Sequence, residues 1–66
     1  MSFDMALVAL KKGIKVARVG QFNNNECVYL VQAYEPYFAK ERLNMVTEWH
    51  PTTEDLLAED YYVIMD

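Results

Sequence analysis

The stretch 49–63 near the C-terminus constrains the fold most, because it predicts a strand end, a short capped helix and a final strand in few residues. Pro51 ends the preceding strand, since it has no backbone N–H for a ladder hydrogen bond. Thr52 suits the N-cap because its hydroxyl can accept from the N–H of Asp55, whose carboxylate can reach back. Leu56 and Leu57 then provide the apolar face of the helix, and the aromatic and β-branched residues at 61–64 favour a strand.

Trp49 precedes this helix start and suggests a binding site. Its ring would lie beside backbone N–H groups that a helix leaves unpaired at its N-terminus. A flat ring can stack on a nucleobase, and a helix start can receive phosphate or hydroxyl oxygens. The alternative interpretation places Trp49 in the core or at a subunit interface, and the spacing alone favours that alternative.

The chain of 66 residues predicts a single domain spanning residues 1–66, close to the lower size limit for an independent core. A single cysteine, Cys27, excludes an intrachain disulfide and fits a reducing cytoplasm. Hydrophobic residues nevertheless make up 53% of the chain, with nine aromatic side chains. One small core hides this much apolar surface poorly, so we expect the protein to form an oligomer.

The first half of the chain predicts one helix and two strands. Ser2 can cap a helix from Phe3 to about Lys12, which Gly13 ends. Alternation predicts a strand over 14–19, with the Arg18 guanidinium emerging beyond the core at the strand's end. Gly20 permits a turn before a polar loop of three asparagines at 23–25. A strand over 27–34 is apolar on both faces, which suits cover by a helix on one side and another subunit on the other.

The middle of the chain is harder to interpret. Residues 35–44 combine a strand-breaking Pro36 with charged residues, which leaves a loop or a single helical turn as the prediction. Residues 45–49 return to strand character. The resulting order is α-β-β-β-α-β, an α+β domain with a small, mainly antiparallel sheet, an N-terminal helix and a short C-terminal helix.

The charge and the motifs of the chain argue against several classes of function. Ten acidic residues against six basic ones give a net charge of −4, which argues against nucleic-acid binding but allows a small anionic ligand. The chain shows neither a membrane-length apolar run nor the pattern of a signal peptide. His50 lacks an obvious nucleophile partner. The acids at 55, 59 and 60 could form a carboxylate cluster, but those at 55 and 59, which share a helix face, lack a nearby His or a third metal ligand, so capping and solvation explain them better. We therefore expect no catalysis, metal or cofactor.

Two stretches resemble the Thoeris anti-defence 2 family. The C-terminal stretch is similar to that family's W-x-P-[ST]-x-x-D-L-L-A-x-D-W signature, as Trp49-x-Pro51-Thr52-x-x-Asp55-Leu56-Leu57-Ala58-Glu59-Asp60-Tyr61. The start resembles its opening helix and first strand, as Phe3-x-x-Ala6-Leu7-x-Ala9-Leu10-Lys11-Lys12-Gly13-x-Lys15-Val16-x-Arg18. The chain departs from the family where Gln21 and Phe22 replace the usual Trp after the glycine, and where 35–44 is shorter.

The resemblance implies a function that composition does not show. Members of this family are small phage proteins that form homotetramers and act as sponges. They bind the cyclic ADP-ribose isomer made by a bacterial immune TIR-domain enzyme without cleaving it, and some also sequester cyclic oligonucleotides. The implied location is the cytoplasm of the infected host. The implied ligand-binding residues are Arg18, Phe22, Trp49, Thr52, Thr53 and Asp55.

Two other functions remain open from the sequence. The chain could inhibit a host defence enzyme by direct protein–protein contact, with its excess aromatic residues as the interface. It could also degrade the immune signal, with His50 as the base. We rank both below the sponge.

Overall fold

The computed structural model describes residues 1–20 and 26–65 and has one five-stranded antiparallel sheet with two helices. The elements in chain order are α1 (Phe3–Lys11), β1 (Lys15–Arg18), β2 (Glu26–Val31), β3 (Tyr37–Arg42), β4 (Met45–Glu48), α2 (Thr53–Leu57) and β5 (Tyr61–Ile64). The strand order in the sheet is β4-β3-β2-β1-β5. The predicted α+β class and antiparallel sheet are confirmed. The predicted asparagine loop at 23–25 and the predicted site residue Phe22 lie outside the described residues.

The prediction of a loop or helical turn over 35–44 is wrong. This stretch contains β3, which pairs with β2 on one side and with β4 on the other. The structure thus has one strand more than the predicted order. The charged side chains concealed the strand: Lys40 lies on the same face as the apolar Phe38, and its ammonium pairs with Glu26 at 2.9 Å. Long aliphatic stems let such residues occupy a half-buried strand position.

Helix α1 packs on one face of the sheet and forms the core with it. The Ser2 hydroxyl accepts from the N–H of Met5, as the predicted cap requires. Ala6 and Leu10 are fully buried against Val16 and Val28. The helix contacts β1, β5 and β2. The first residue of the helix, Phe3, packs on Phe38 of β3, and the rest of the β3–β4 half of this face extends beyond the helix.

The opposite face of the sheet carries no helix in the part of the chain that the structure describes. Register places mostly apolar residues on this open face: Ala17, Cys27, Tyr29, Val31, Tyr37, Ala39, Val46, Tyr62 and Ile64. Tyr37, Val46 and Tyr62 are exposed there. The predicted strand with two apolar faces is confirmed in β2, although β2 ends at Val31 and not at the predicted residue 34, and it has helical cover on one face only.

The β3–β4 hairpin holds a leucine in an unfavourable conformation. Leu43 has a φ of 56°, in the left-handed region where a Cβ meets the following carbonyl oxygen. Its side chain is exposed, so no core packing compensates for the strain. The following Asn44 does not have a positive φ. The strain is therefore confined to the first residue of the turn.

Replacing Leu43 with glycine should stabilise the protein. Glycine removes a conformational cost of about 1–2 kcal/mol, part of which is offset by its freedom in the unfolded chain, for a net gain of about 0.5–1 kcal/mol. Urea unfolding of Leu43→Gly measures this gain. Asn44→Gly is the matched control and should be neutral or destabilising. A lower stability for Leu43→Gly than for the wild type would contradict the strained turn.

Candidate functional site

Arg18 lies at the end of β1 and is buried, with only 6% of its surface exposed. Its Nη1 donates to Asp55 Oδ1 at 2.7 Å, and its Nε donates to Asp60 Oδ1 at 2.9 Å. The prediction that the guanidinium emerges beyond the core is therefore wrong. Asp55 lies within α2 and Asp60 follows it. Their carboxylates neutralise the guanidinium charge, which makes its burial tolerable. We call Arg18, Asp55 and Asp60 the ion triad.

Asp55 links the ion triad to the start of α2. Its Oδ2 accepts from the backbone N–H of Thr52 at 2.9 Å and from the Thr52 hydroxyl at 3.0 Å. The N–H of Asp55 in turn donates to Thr52 Oγ1 at 3.1 Å. This reciprocal pairing confirms the predicted capping box. One carboxylate oxygen thus serves the helix cap while the other binds Arg18.

Tyr61 completes this buried network. Its hydroxyl donates to the Asp55 carbonyl oxygen at 2.6 Å, and its ring lies beneath the Arg18 guanidinium, 5.7 Å from ring centroid to guanidinium carbon. The roles of Tyr61 and Asp60 were not predicted from the sequence. One signal was available. Arg18 shares a strand face with apolar residues, so its charge needed an acidic partner. The stretch of the chain richest in acids follows Thr52.

The network shifts the pKa values of its members. The hydrogen bond to Asp60, and a further one to Asp55, raise the pKa of Arg18 although burial opposes this. Burial favours the neutral form of Asp55, but hydrogen bonds from Thr52 and Arg18 outweigh it and lower the pKa of the carboxyl. Burial, reinforced by the charge of Asp55, raises the pKa of Tyr61 to about 12. All three shifts keep the groups in their structural charge states near neutral pH.

Trp49 belongs to the core and does not present an open stacking ring. Its ring centroid is 5.9 Å from that of Phe38 and 6.3 Å from that of Phe3, and 8% of the residue is exposed. The alternative that placed Trp49 in the core is confirmed. The helix start beside it is also less open than expected, since the N–H groups of Thr52 and Asp55 are already paired.

Helix α2 buries a carboxylate and exposes its leucines. Asp55 is the buried residue of the helix, whereas Leu57 is 76% exposed and Leu56 about half exposed. The prediction that these leucines form a core-facing apolar side is therefore wrong. The strong pairing of Asp55 with Arg18 fixes the rotation of this short helix. Its two leucines are left as apolar surface.

The structure brings together three of the predicted site residues, Arg18, Thr52 and Asp55, in one network. Trp49 lies in the neighbouring aromatic cluster, and Thr53 is exposed on the first turn of α2. Among the described residues, every buried side-chain nitrogen or oxygen has a hydrogen-bond partner. The network can therefore hold the fold together and shape a surface. Of the predicted residues described, Thr52 and Thr53 have exposed surface that a ligand can reach in the single chain, and the Thr52 hydroxyl is engaged in the capping box.

The described ranges 1–20 and 26–65 show neither a cluster of metal ligands nor a membrane-spanning helix. They contain no group of three or more His, Cys, Asp or Glu residues arranged to hold a metal ion. Neither of their helices is long and apolar enough to span a membrane. His50 Nε2 lies 3.6 Å from Glu48 Oε2, and both side chains are exposed.

The signature 49–61 thus forms one connected unit with the first strand, and a family model matches this whole arrangement. The model, described as "Thoeris anti-defense 2-like domain", covers residues 1–64. The chain belongs to this family. No curated protein matches the chain at a significant level. Membership of the Thoeris anti-defence 2-like family gives the chain an anti-defence role, and it points in general to a small-molecule signal as the partner.

Neutralising Asp55 should destabilise the protein and change its acid unfolding. Asp55→Asn leaves the buried Arg18 with one carboxylate, at a cost of about 2–4 kcal/mol. The folded-state pKa of Asp55 lies below its unfolded value of 3.8, so its contribution is present above that pH and is lost on further acidification. Chemical unfolding between pH 2 and 7 should show a flatter acid limb in the variant. Glu54→Gln, on the same turn but exposed, should change stability by less than about 0.5 kcal/mol, and equal effects would contradict the ion triad.

Tyr61 should make the protein sensitive to alkali. Its raised pKa means that the unfolded chain loses the phenolic proton first, so stability falls as pH rises from about 10 toward about 12. A two-unit difference corresponds to about 2–3 kcal/mol. Thermal unfolding at pH 8–11 should show a steeper loss for the wild type than for Tyr61→Phe. Tyr62→Phe is the control for losing one phenol, and identical slopes for Tyr61→Phe and wild type would contradict the buried tyrosine.

Proposed function

We propose that this chain is a phage-encoded sponge that binds a cyclic ADP-ribose-type signalling nucleotide and holds it without cleavage. The nucleotide would then fail to reach the effector of the Thoeris system. The match of the family model to residues 1–64 carries this proposal, because it covers both the opening helix and the C-terminal signature. The proposed site of action is the cytoplasm of the infected bacterium.

The ionisation and hydrogen bonding of Asp55, and the position of His50 outside its network, support binding of the ligand without a chemical reaction. Acid–base catalysis requires a group whose pKa lies near the working pH and that can reach its substrate. Asp55 is held ionised by Arg18 and Thr52, and its carboxylate oxygens are occupied. His50 is exposed beside Glu48 and lies outside this network. A sponge needs neither residue to react.

The open face supports assembly into the proposed homotetramer. A sheet that is apolar on both faces usually has cover on both. Second copies of the chain would bury the exposed tyrosines of this face, and pockets between subunits would offer more contact area than a chain of 66 residues provides alone. Of the predicted ligand-binding residues, Thr53 would contact the nucleotide directly. The buried residues Arg18, Trp49 and Asp55 would support the pocket wall from inside, and the exposed Thr52 would lie beside Thr53 as the cap of the helix. Phe22 remains a predicted stacking residue.

The same open face also favours a second candidate, direct inhibition of a host defence protein. Its exposed aromatic and aliphatic side chains have the composition of a protein interface. Size-exclusion chromatography separates the two functions. A particle of about four times the 7.7 kDa chain mass would show that the chain covers this face itself. A stable monomer would instead favour the inhibitor.

Calorimetric titration with isomers of cyclic ADP-ribose tests the sponge, with cyclic oligonucleotides as a second panel. The wild type should bind one ligand of these panels tightly. Thr53→Arg should weaken that binding at least tenfold with an unchanged melting temperature, because Thr53 is exposed and its side chain is not the cap. Lys12→Ala, at the far end of α1, should bind as the wild type does. Absence of heat with every cyclic ADP-ribose isomer would overturn the proposal, and heat with a cyclic oligonucleotide alone would assign a different ligand.

Trp49→Ala and Asp55→Ala are less informative variants. Both side chains are buried in the structure, so their loss lowers stability along with any affinity. We therefore expect these two to weaken binding through the fold. Comparing their melting temperatures with that of Thr53→Arg separates the two causes.

A further inference from the structure

A pocket lies on the helix side of the sheet, where β3 and β4 extend beyond α1. Register aligns Val28, Lys40 and Thr47 across three strands, and Glu26, Arg42 and Met45 in the next row. Val28 belongs to the core, and the other five residues line a cavity of about 290 Å³. The pocket is thus built on paired strands, which hold its side chains in fixed positions.

The pocket is locally positive on an acidic protein. Glu26 Oε2 pairs with Lys40 Nζ at 2.9 Å, which neutralises one cation at its floor. Arg42 adds a second cation, so the three charged residues have a net charge of +1 in a chain of net charge −4. A concave, positive site beside low-dielectric core attracts anions more strongly than an isolated surface lysine does.

Arg42 also differs from the chain's other arginine in what it contacts. The Arg18 guanidinium is buried and held by two carboxylates, so it has little capacity for an external anion. Arg42 is exposed at the end of β3, and it forms no ion pair with an acid in the described ranges 1–20 and 26–65. A guanidinium presents a planar fork of donors that matches phosphate oxygens bidentately.

The remaining lining groups suit the rest of such a ligand. The Thr47 hydroxyl can donate one hydrogen bond to a phosphate oxygen. Met45 provides a flexible apolar surface on which a small organic group can pack. The volume admits a phosphate with a small substituent but does not enclose a dinucleotide, since drug-sized ligands occupy cavities of about 300–1,000 Å³.

We propose that this pocket, lined by Glu26, Lys40, Arg42, Met45 and Thr47, is a binding site for a phosphomonoester group. Arg42 is the principal anion ligand, Lys40 assists it, and Glu26 limits the affinity by neutralising Lys40. The site is separate from the nucleotide site of the proposed function and does not depend on it. Its ligand is a small molecule that carries a phosphomonoester group.

Chemical-shift titration of the ¹⁵N-labelled protein with phenyl phosphate, at low salt, tests the site. The largest shifts should fall on β3 and β4, and the Arg42 Nε–H resonance should move. Inorganic phosphate should bind at the same residues but more weakly, because it lacks the group that packs on Met45. Stronger binding of inorganic phosphate would overturn the assigned ligand class.

Variants of opposite expected effect make the test decisive. Arg42→Gln should weaken phenyl phosphate binding about tenfold, as expected for losing a charge-assisted hydrogen bond. Glu26→Gln should tighten it several-fold by removing a negative charge from the pocket lining, provided that thermal unfolding shows the variant folded. Lys11→Gln removes one positive charge from α1 and should leave the affinity unchanged.

Two results would overturn the proposal. One is equal affinity for Arg42→Gln and wild type, and the other is a shift pattern centred on Thr53 instead of β3 and β4. Calorimetry with cyclic ADP-ribose isomers on Arg42→Gln keeps the two proposals apart. A variant that still binds the isomer but has lost phenyl phosphate would show that the two sites are separate.

Discussion

The contact between Arg18 and Asp55 is the interaction on which the C-terminal third of the structure depends. Helix α2 has five residues, and a helix this short has no stability of its own in water. The Asp55 carboxylate stabilises it by closing the capping box and by binding the guanidinium of β1. Tyr61 donates to the carbonyl of the same aspartate and is the first residue of β5, which pairs with β1. One buried ion pair therefore joins the sheet, the helix and the last strand.

This arrangement changes what the family signature means in physical terms. Its Trp and Asp are buried, and its Thr is exposed but used as a helix cap: Trp49 packs in the aromatic cluster, and Thr52 and Asp55 bind each other. These residues of the signature thus have a structural role in this chain. Under the proposed function, ligand choice would depend on exposed groups such as Thr53 and on how copies of the chain meet across the open face.

The sequence predicted the parts of the structure that local chemistry determines. Ser2, Gly13, Pro51 and Thr52 mark ends of elements by short-range effects, and the capping box between Thr52 and Asp55 was predicted. Partners distant along the chain could not be predicted in the same way, since Arg18 lies 42 residues from Asp60. Strand β3 was missed because its lysine and arginine break the apolar alternation. For Trp49 the spacing allowed both a core and a stacking role, and only the packing against Phe38 separates them.

The central claim is that the chain holds an immune nucleotide without altering it, and ligand recovery tests this most directly. The protein is mixed with a cyclic ADP-ribose isomer that it binds, freed of excess ligand by filtration, and heated until it unfolds. Chromatography of the supernatant should then show the intact cyclic nucleotide in proportion to the protein. Recovery of a linear ADP-ribose product would show an enzyme and contradict the account, as would a filtered protein that carries no nucleotide.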